Sequence, residues 1–127
     1  MRRTLTIMLF LSAHSASALA ADSAAGERVF RKCLACHAVG EGAQHKVGPI
    51  LNGLIGRPAG GYPGYNYTDA NKRSKLVWDE ATLANYLKNP KAAIPGTKME
   101  FAGLPRESEI ADVIAYLKQF GADGKKQ

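Results

Sequence analysis

Cys33, Cys36 and His37 are the residues best placed to do chemistry in this sequence. Cys33-Leu34-Ala35-Cys36-His37 is a C-x-x-C-H motif, and it contains both cysteines of the 127-residue chain. At this spacing each thiol can add across one vinyl group of a haem to form a thioether. The histidine that follows is then held under the porphyrin with a ring nitrogen aimed at the iron. The pattern is that of c-type haem attachment. Other chemistries use similar residues. A zinc site takes about four ligands, and Cys33, Cys36, His37 and His45 could offer them, but there is no second cysteine pair or spaced histidine pair. A thioredoxin-like C-x-x-C expects a βαβ setting, which is missing here. A disulfide suits an oxidising compartment yet leaves His37 without a role. Haem attachment, one haem per chain, accounts for all three residues.

Haem iron takes a second axial ligand, and methionine opposite histidine raises the potential of cytochromes. Met99 lies in Ile94-Pro95-Gly96-Thr97-Lys98-Met99, a restrained segment that could cross the distal face. A methionine is more often a core residue, but the alternatives are weaker. His45 stands eight residues from His37 and would have to wrap the haem edge. Lys98 would have to lose its proton. An open position would imply ligand binding or catalysis. His37 and Met99 are therefore the expected iron ligands, and six-coordinate iron suits electron transfer better than substrate chemistry.

The rest of the chain must position these groups. Residues 1–20 read as an export signal. Arg2 and Arg3 precede the apolar run Leu5–Leu11, and Ala18-Leu19-Ala20 is an A-x-A cleavage site before Ala21. A membrane span needs about 20 apolar residues, and Ser12, His14, Ser15 and Ser17 interrupt this run. Cleavage is expected by the general secretory route, with the product, residues 21–127, in a bacterial periplasm. The full chain carries 17 basic and 11 acidic residues, a net +6. Two basic residues leave with the signal, so the remaining 107 residues carry +4. They make one small domain. A chain of that size buries about 60–70% of its unfolded surface, and a central haem would supply apolar core that the side chains lack. Met99 is then the only methionine, and His37 and His45 the only histidines.

Helical patterns dominate. A first helix is expected over Ser23–Ala35, capped by Asp22 or Ser23, with Val29, Phe30 and Cys33 at helical spacing. Gly26 within it is either a tolerated helix glycine or a point of close approach by a second helix. Residues Val39–Gly64 read as a long loop that would pack on the porphyrin. A helical turn is expected in Thr68–Lys75. A second clear helix should run from Asp79-Glu80 to Lys88, with Leu83, Tyr86 and Leu87 on one face. Asn89-Pro90 interrupts it, and Ile94-Pro95-Gly96 forces an extended turn. The last helix is expected over Arg106–Phe120, with Ile110, Val113, Ile114 and Leu117 at i, i+3, i+4 and i+7 and Gly121 as its cap. The tail Gly124–Gln127 reads as frayed. No alternating strand pattern or repeat appears, so the fold expected is all-α.

Several segments together resemble class I cytochromes c. They are CLACH, Gly-Arg-Pro-Ala-Gly at 56–60, Gly-Tyr-Asn-Tyr-Thr-Asp-Ala-Asn-Lys at 64–72, Val-Trp-Asp-Glu at 77–80, Tyr-Leu-Lys-Asn-Pro at 86–90, and Ile-Pro-Gly-Thr-Lys-Met-Glu-Phe-Ala-Gly at 94–103. The nearest type is the mitochondrial-like cytochrome c2 of alphaproteobacteria. The resemblance spans essentially all of residues 22–121. Pro105 stands where mitochondrial proteins often have lysine, and Asn52 where many have histidine.

The resemblance implies a small fold with the first and last helices packed together and loops wrapped around the haem. It implies that the Pro49 carbonyl accepts the His37 ring N–H, and that Arg57, Tyr67 and Trp78 are donors to a buried haem propionate. Asn71, Tyr86 and Thr97 resemble a polar cluster near the Met99 sulfur. Phe101 resembles an aromatic that covers the haem edge, and His45 a structural histidine tying loops together. Read from composition alone, Trp78 could be simple core, Arg57 a surface base and Tyr86 part of an amphipathic face.

The basic balance points to an acidic partner. Nucleic acid is a poor fit in the periplasm, and the basic residues are scattered. Lys32 abuts Cys33 and Lys98 abuts Met99, while the resemblance places Lys46 and Lys91 around the same haem edge. Such a lysine ring would steer docking onto acidic surfaces, fast and weakened by salt. The expected partners are a quinol–cytochrome c oxidoreductase (a bc1-type complex) as donor and a terminal oxidase or other acceptor, in a respiratory or photosynthetic chain. A monomer without a membrane anchor is expected. The reading is of a diffusible one-electron carrier, not an enzyme. A peroxidase or nitrite-reducing haem protein is the alternative, and it would need open iron with an acid–base group beside it. A variant of the carrier reading is a component of a dehydrogenase complex.

Overall fold

The computed structural model describes residues 20–127, so all of the expected export signal but Ala20 lies outside the described residues. Five helices follow in order: α1 (Ser23–Phe30), α2 (Asp69–Arg73), α3 (Glu80–Lys88), α4 (Pro90–Ala93) and α5 (Glu107–Lys118). Among the described residues the only β pairing is two isolated bridges, Pro58 with Val77 and Phe120 with Lys126. The all-α expectation holds.

Local chemistry sets the boundaries. The Asp22 carboxylate accepts from the Ala24 and Ala25 amides, which lack partners inside α1. Thr68 caps α2 through its bond from the Asn71 amide, and Asp79 caps α3 through Thr82. α1 ends earlier than expected. After Phe30 the chain tightens into consecutive turns, with the Cys33 amide on the Phe30 carbonyl and the Cys36 and His37 amides on the Cys33 carbonyl. These turns carry the C-x-x-C-H motif, so a straight helix to Ala35 was the wrong expectation.

α4 was not expected. Asn89 ends α3, but its side chain then accepts from the Ala92 amide and starts a new turn, with Pro90 at the first position. Proline is tolerated there because that amide has no helical partner anyway. At the other end, Gln119 and not Gly121 caps α5.

The tail is not frayed. The Gly121 amide donates to the Lys125 carbonyl at 3.0 Å and the Gln127 amide to the Gln119 carbonyl at 2.8 Å. Gly124 is buried against Gly40, and Lys126 lies over the Tyr116 and Phe120 rings.

The frame is the crossing of α1 and α5. A Cβ on Gly26 would stand 1.9 Å from the Asp112 carbonyl oxygen, so close approach is the reason for this glycine. Phe30 is 2% and Val113 1% exposed at the crossing. Burial of side chains this size contributes about 1.5–3 kcal/mol each. The Asp22 amide also donates to the Asp112 carboxylate at 2.8 Å. α3 packs against α5, and the long loops from 31 to 68 and from 94 to 106 enclose the space in front of this frame.

Candidate haem site

The loops and helices surround a cleft of about 1360 Å³ of empty space, part of it open to solvent. Its walls are the apolar core itself: Phe30, Leu54, Leu83, Leu87, Leu104, Val113 and Leu117 all border it. These side chains make the cleft an apolar environment, suited to a large apolar group.

Cys33, Cys36 and His37 lie on one wall. Both cysteines are half-buried and neither is in a disulfide. Burial pushes the Cys33 thiol up to about 11, against the lowering influence of Lys32. The His37 ring is 8% exposed, and its Nδ1 lies 2.7 Å from the Pro49 carbonyl. A carbonyl only accepts, so Nδ1 carries the proton and Nε2 keeps its lone pair. Burial holds the His37 pKa below its ordinary value despite this bond. A neutral imidazole with one fixed nitrogen and one free is the form that binds a metal. Gly48, which the sequence reading passed over, is required beside it, because a Cβ there would stand 2.4 Å from His37 Cε1. The glycine before Pro49 was the available signal.

Met99 borders the same cleft. The Tyr86 hydroxyl donates to its sulfur at 3.0 Å, and the Thr97 hydroxyl accepts its amide at 3.3 Å. Burial raises the Tyr86 pKa, so the hydroxyl stays a donor. Asn71 also lines the cleft, but its side chain is bonded to Thr68; of the three expected polar groups, Tyr86 bonds the sulfur and Thr97 the Met99 main chain. Phe101 lines the cleft beside them.

Arg57, Tyr67 and Trp78 converge on the cleft as well. Arg57 donates from Nη1 to the Asn52 carbonyl and from Nη2 to the Ile50 carbonyl, and lies over the Tyr62 ring at 4.5 Å. Its Nε is buried without a partner, an orphan donor that an anionic group in the cleft would satisfy. Burial lowers the Arg57 pKa from its ordinary value. The Tyr67 hydroxyl accepts the Tyr62 amide at 3.2 Å, and burial raises its pKa. Trp78 packs on Tyr86 with ring centres 4.7 Å apart. Tyr65 and Thr68 line the cleft too and were missed.

His45 accepts the Ile50 amide at Nδ1 and donates from Nε2 to the Pro63 carbonyl. Both ring nitrogens are used in tying two loops. Among the described residues, no group of three or more His, Cys, Asp or Glu is placed to hold a metal ion.

Of the four lysines singled out, Lys32 and Lys98 border the cleft, while Lys46 and Lys91 lie outside its lining. All four are engaged within the chain. Lys32 pairs with Glu109 at 3.3 Å and Lys91 with Glu100 at 2.7 Å. Lys98 donates to the Asn66 carbonyl and lies over Tyr65, and Lys46 donates to the Leu34 carbonyl.

An apolar cleft, two thiols and a free imidazole nitrogen on one wall, and an orphan cationic donor fit a porphyrin carrying carboxylates. The comparisons agree. The family model for cytochrome c matches residues 23–121. The chain is 51% identical over 127 residues to cytochrome c2 of Blastochloris viridis, covering all of both chains. It is 59% identical over 103 residues to cytochrome c-550 of Bradyrhizobium diazoefficiens, covering 81% of this chain and 76% of that one. Among solved structures, cytochrome cH from Methylobacterium extorquens superposes with a TM-score of 0.72 at 46% identity, covering 77% of this chain and 98% of that one. The chain belongs to the cytochrome c family, as a class I cytochrome of the c2 type. It has the class I fold and a covalent haem c, with Cys33 and Cys36 at the attachment spacing, and it is an electron-transfer protein and not an enzyme.

Proposed function

We propose that this chain is a soluble periplasmic carrier of single electrons, taking them from a quinol-oxidising bc1-type complex and delivering them to a terminal oxidase or another acceptor. When bound, haem c supplies the Fe(III)/Fe(II) couple. Cys33 and Cys36 would hold it covalently, His37 Nε2 and the Met99 sulfur would ligate its iron, and Arg57, Tyr67 and Trp78 would serve its propionate. Pro49 keeps the His37 tautomer, Tyr86 and Thr97 hold Met99, and the apolar walls exclude water. Residues 1–20 direct export and are removed, leaving residues 21–127 as the cytochrome c domain. No helix among the described residues is long and apolar enough to cross a membrane.

The observation that carries this reading is the pair His37 and Met99. Both open on one apolar cleft; the His37 bond to Pro49 leaves Nε2 free, while the Tyr86 bond to the Met99 sulfur uses one of its two lone pairs and leaves the other. Two strong-field ligands leave no position for substrate, which suits electron transfer. The four lysines favour docking on acidic faces. Two of them, Lys32 and Lys91, are in ion pairs at the surface, where such pairs are weak, so a partner's carboxylates can replace Glu109 and Glu100.

The test is the optical spectrum of the oxidised protein expressed in a periplasm. The weak methionine-to-iron charge-transfer band is expected. Its absence from fully haem-loaded protein would remove Met99 as a ligand, and the carrier reading with it.

A further inference from the structure

The orphaned Nε of Arg57 is held in place by an arrangement that runs back to the C-terminus. Asn52 is 5% exposed. Its Oδ1 accepts the Gly40 amide at 2.8 Å and its Nδ2 donates to the Gly40 carbonyl at 2.9 Å, so one carboxamide takes both polar groups of one residue. The Asn52 main-chain carbonyl in turn accepts Arg57 Nη1. With Ile50 on Nη2 and Tyr62 beneath the plane, the guanidinium is fixed at three points.

Behind Gly40 stands the C-terminal segment. A Cβ on Gly124 would lie 2.2 Å from the Gly40 carbonyl oxygen, and the Gly53 amide donates to the Phe120 carbonyl at 3.0 Å. The segment's own hydrogen bonds, Gly121 to Lys125 and Gln127 to Gln119, fix its shape, and the Gly53 to Phe120 bond ties its base to the loop.

We propose that Asn52, backed by residues 121–127, is a positioning residue for Arg57, and so helps set the reduction potential of the haem. This rests on the reading of Arg57 as the group facing the propionate. A fixed cation near the iron disfavours the ferric state and raises the potential. The interaction is strong where water is excluded and falls when the charge moves away or gains solvent. Asn52 is not itself part of the cleft lining; it acts through the carbonyl that orients Arg57.

The experiment is a double-mutant cycle on the haem-loaded protein, read as midpoint potential and as hydrogen exchange at the Gly40 amide. Arg57→Ala is expected to lower the potential. Asn52→Ala should lower it in the same direction by less, with faster exchange at Gly40. In the Arg57→Ala background, Asn52→Ala should add no further shift. Gly124→Ala presses on Gly40 from the other side, leaves Asn52 and Arg57 intact, and should reproduce the Asn52→Ala shift. If Asn52→Ala takes up no haem, Gly124→Ala with and without Arg57→Ala decides the question. If Arg57→Ala leaves the potential unchanged, the reading of Arg57 fails and this inference with it. A potential lowered by Arg57→Ala but insensitive to Asn52 and Gly124 overturns the positioning role alone, even where Gly40 exchanges faster. A further drop in the double variant overturns it too, because Asn52 would then act by another route.

Discussion

The Tyr86 hydroxyl points its hydrogen at the Met99 sulfur over 3.0 Å. A hydrogen bond to a thioether draws density away from sulfur and makes it a weaker donor to electron-poor iron. With Met99 as an axial ligand, the bond therefore favours Fe(II). Tyr86→Phe keeps the buried ring and loses only the donor. The expected result is a midpoint potential lowered on the order of tens of millivolts, in keeping with a hydrogen bond contributing about 1 kcal/mol, with the charge-transfer band retained. An unchanged or raised potential would show that the bond does not tune the sulfur.

Gly26→Ala tests the helix crossing. The added methyl must move the Asp112 carbonyl or part the helices, and overpacking of this kind costs about 1–3 kcal/mol or more. The midpoint of thermal unfolding of the haem-loaded protein should fall by several degrees. A melting temperature within one degree of the parent would mean that α1 and α5 yield freely at Asp112.

Glu109 predicts a pH dependence. The Arg106 hydrogen bond, followed by the Lys32 contact, holds its carboxyl below the ordinary carboxylate value. A depressed carboxylate stabilises the fold above its unfolded pKa and loses that contribution as pH falls through the folded value. Glu109→Gln should therefore lower the melting temperature at pH 7, with the gap to the parent narrowing from about pH 5 downward, given an unfolded value of about 4.3. A gap that stayed constant from pH 7 to pH 3 would rule out this linkage.

The docking face can be tested by charge reversal. Exchanging Lys32, Lys91 and Lys98 for Glu also sets new carboxylates beside Glu109 and Glu100. Oxidase turnover at low ionic strength should drop at least several-fold, and its dependence on salt should flatten. Undiminished turnover would place docking elsewhere on the surface.

What could be read from the sequence was what depends on near neighbours. The C-x-x-C-H motif, the capped start of α3 at Asp79 and the apolar face of α5 are all local patterns, and the structure has them. The resemblance extended this to residues far apart in sequence, and Pro49, Arg57, Tyr67, Trp78, Tyr86, Thr97 and Phe101 do converge on one cleft. The misses have physical causes. Asn89-Pro90 ends one helix and begins another, because an asparagine can cap either and proline suits a first turn. Polar Gly124–Gln127 reads as frayed because its partners, Gly40 and Gln119, are set by tertiary contact. Asn52 shows only as a departure from histidine, since nothing in sequence reveals a side chain clamping a residue twelve positions earlier.

The α1–α5 crossing has a consequence for how the chain matures. Asp22 and Asp112 are 90 positions apart, so the chain cannot close its core until almost all of it is free to fold. Contacts this distant in sequence form late. During that interval Cys33 and Cys36 lie in open chain, before the contacts that half-bury them have formed. The last helix thereby acts as a timer: the segment around both attachment cysteines stays open until α5 is there to pack on α1.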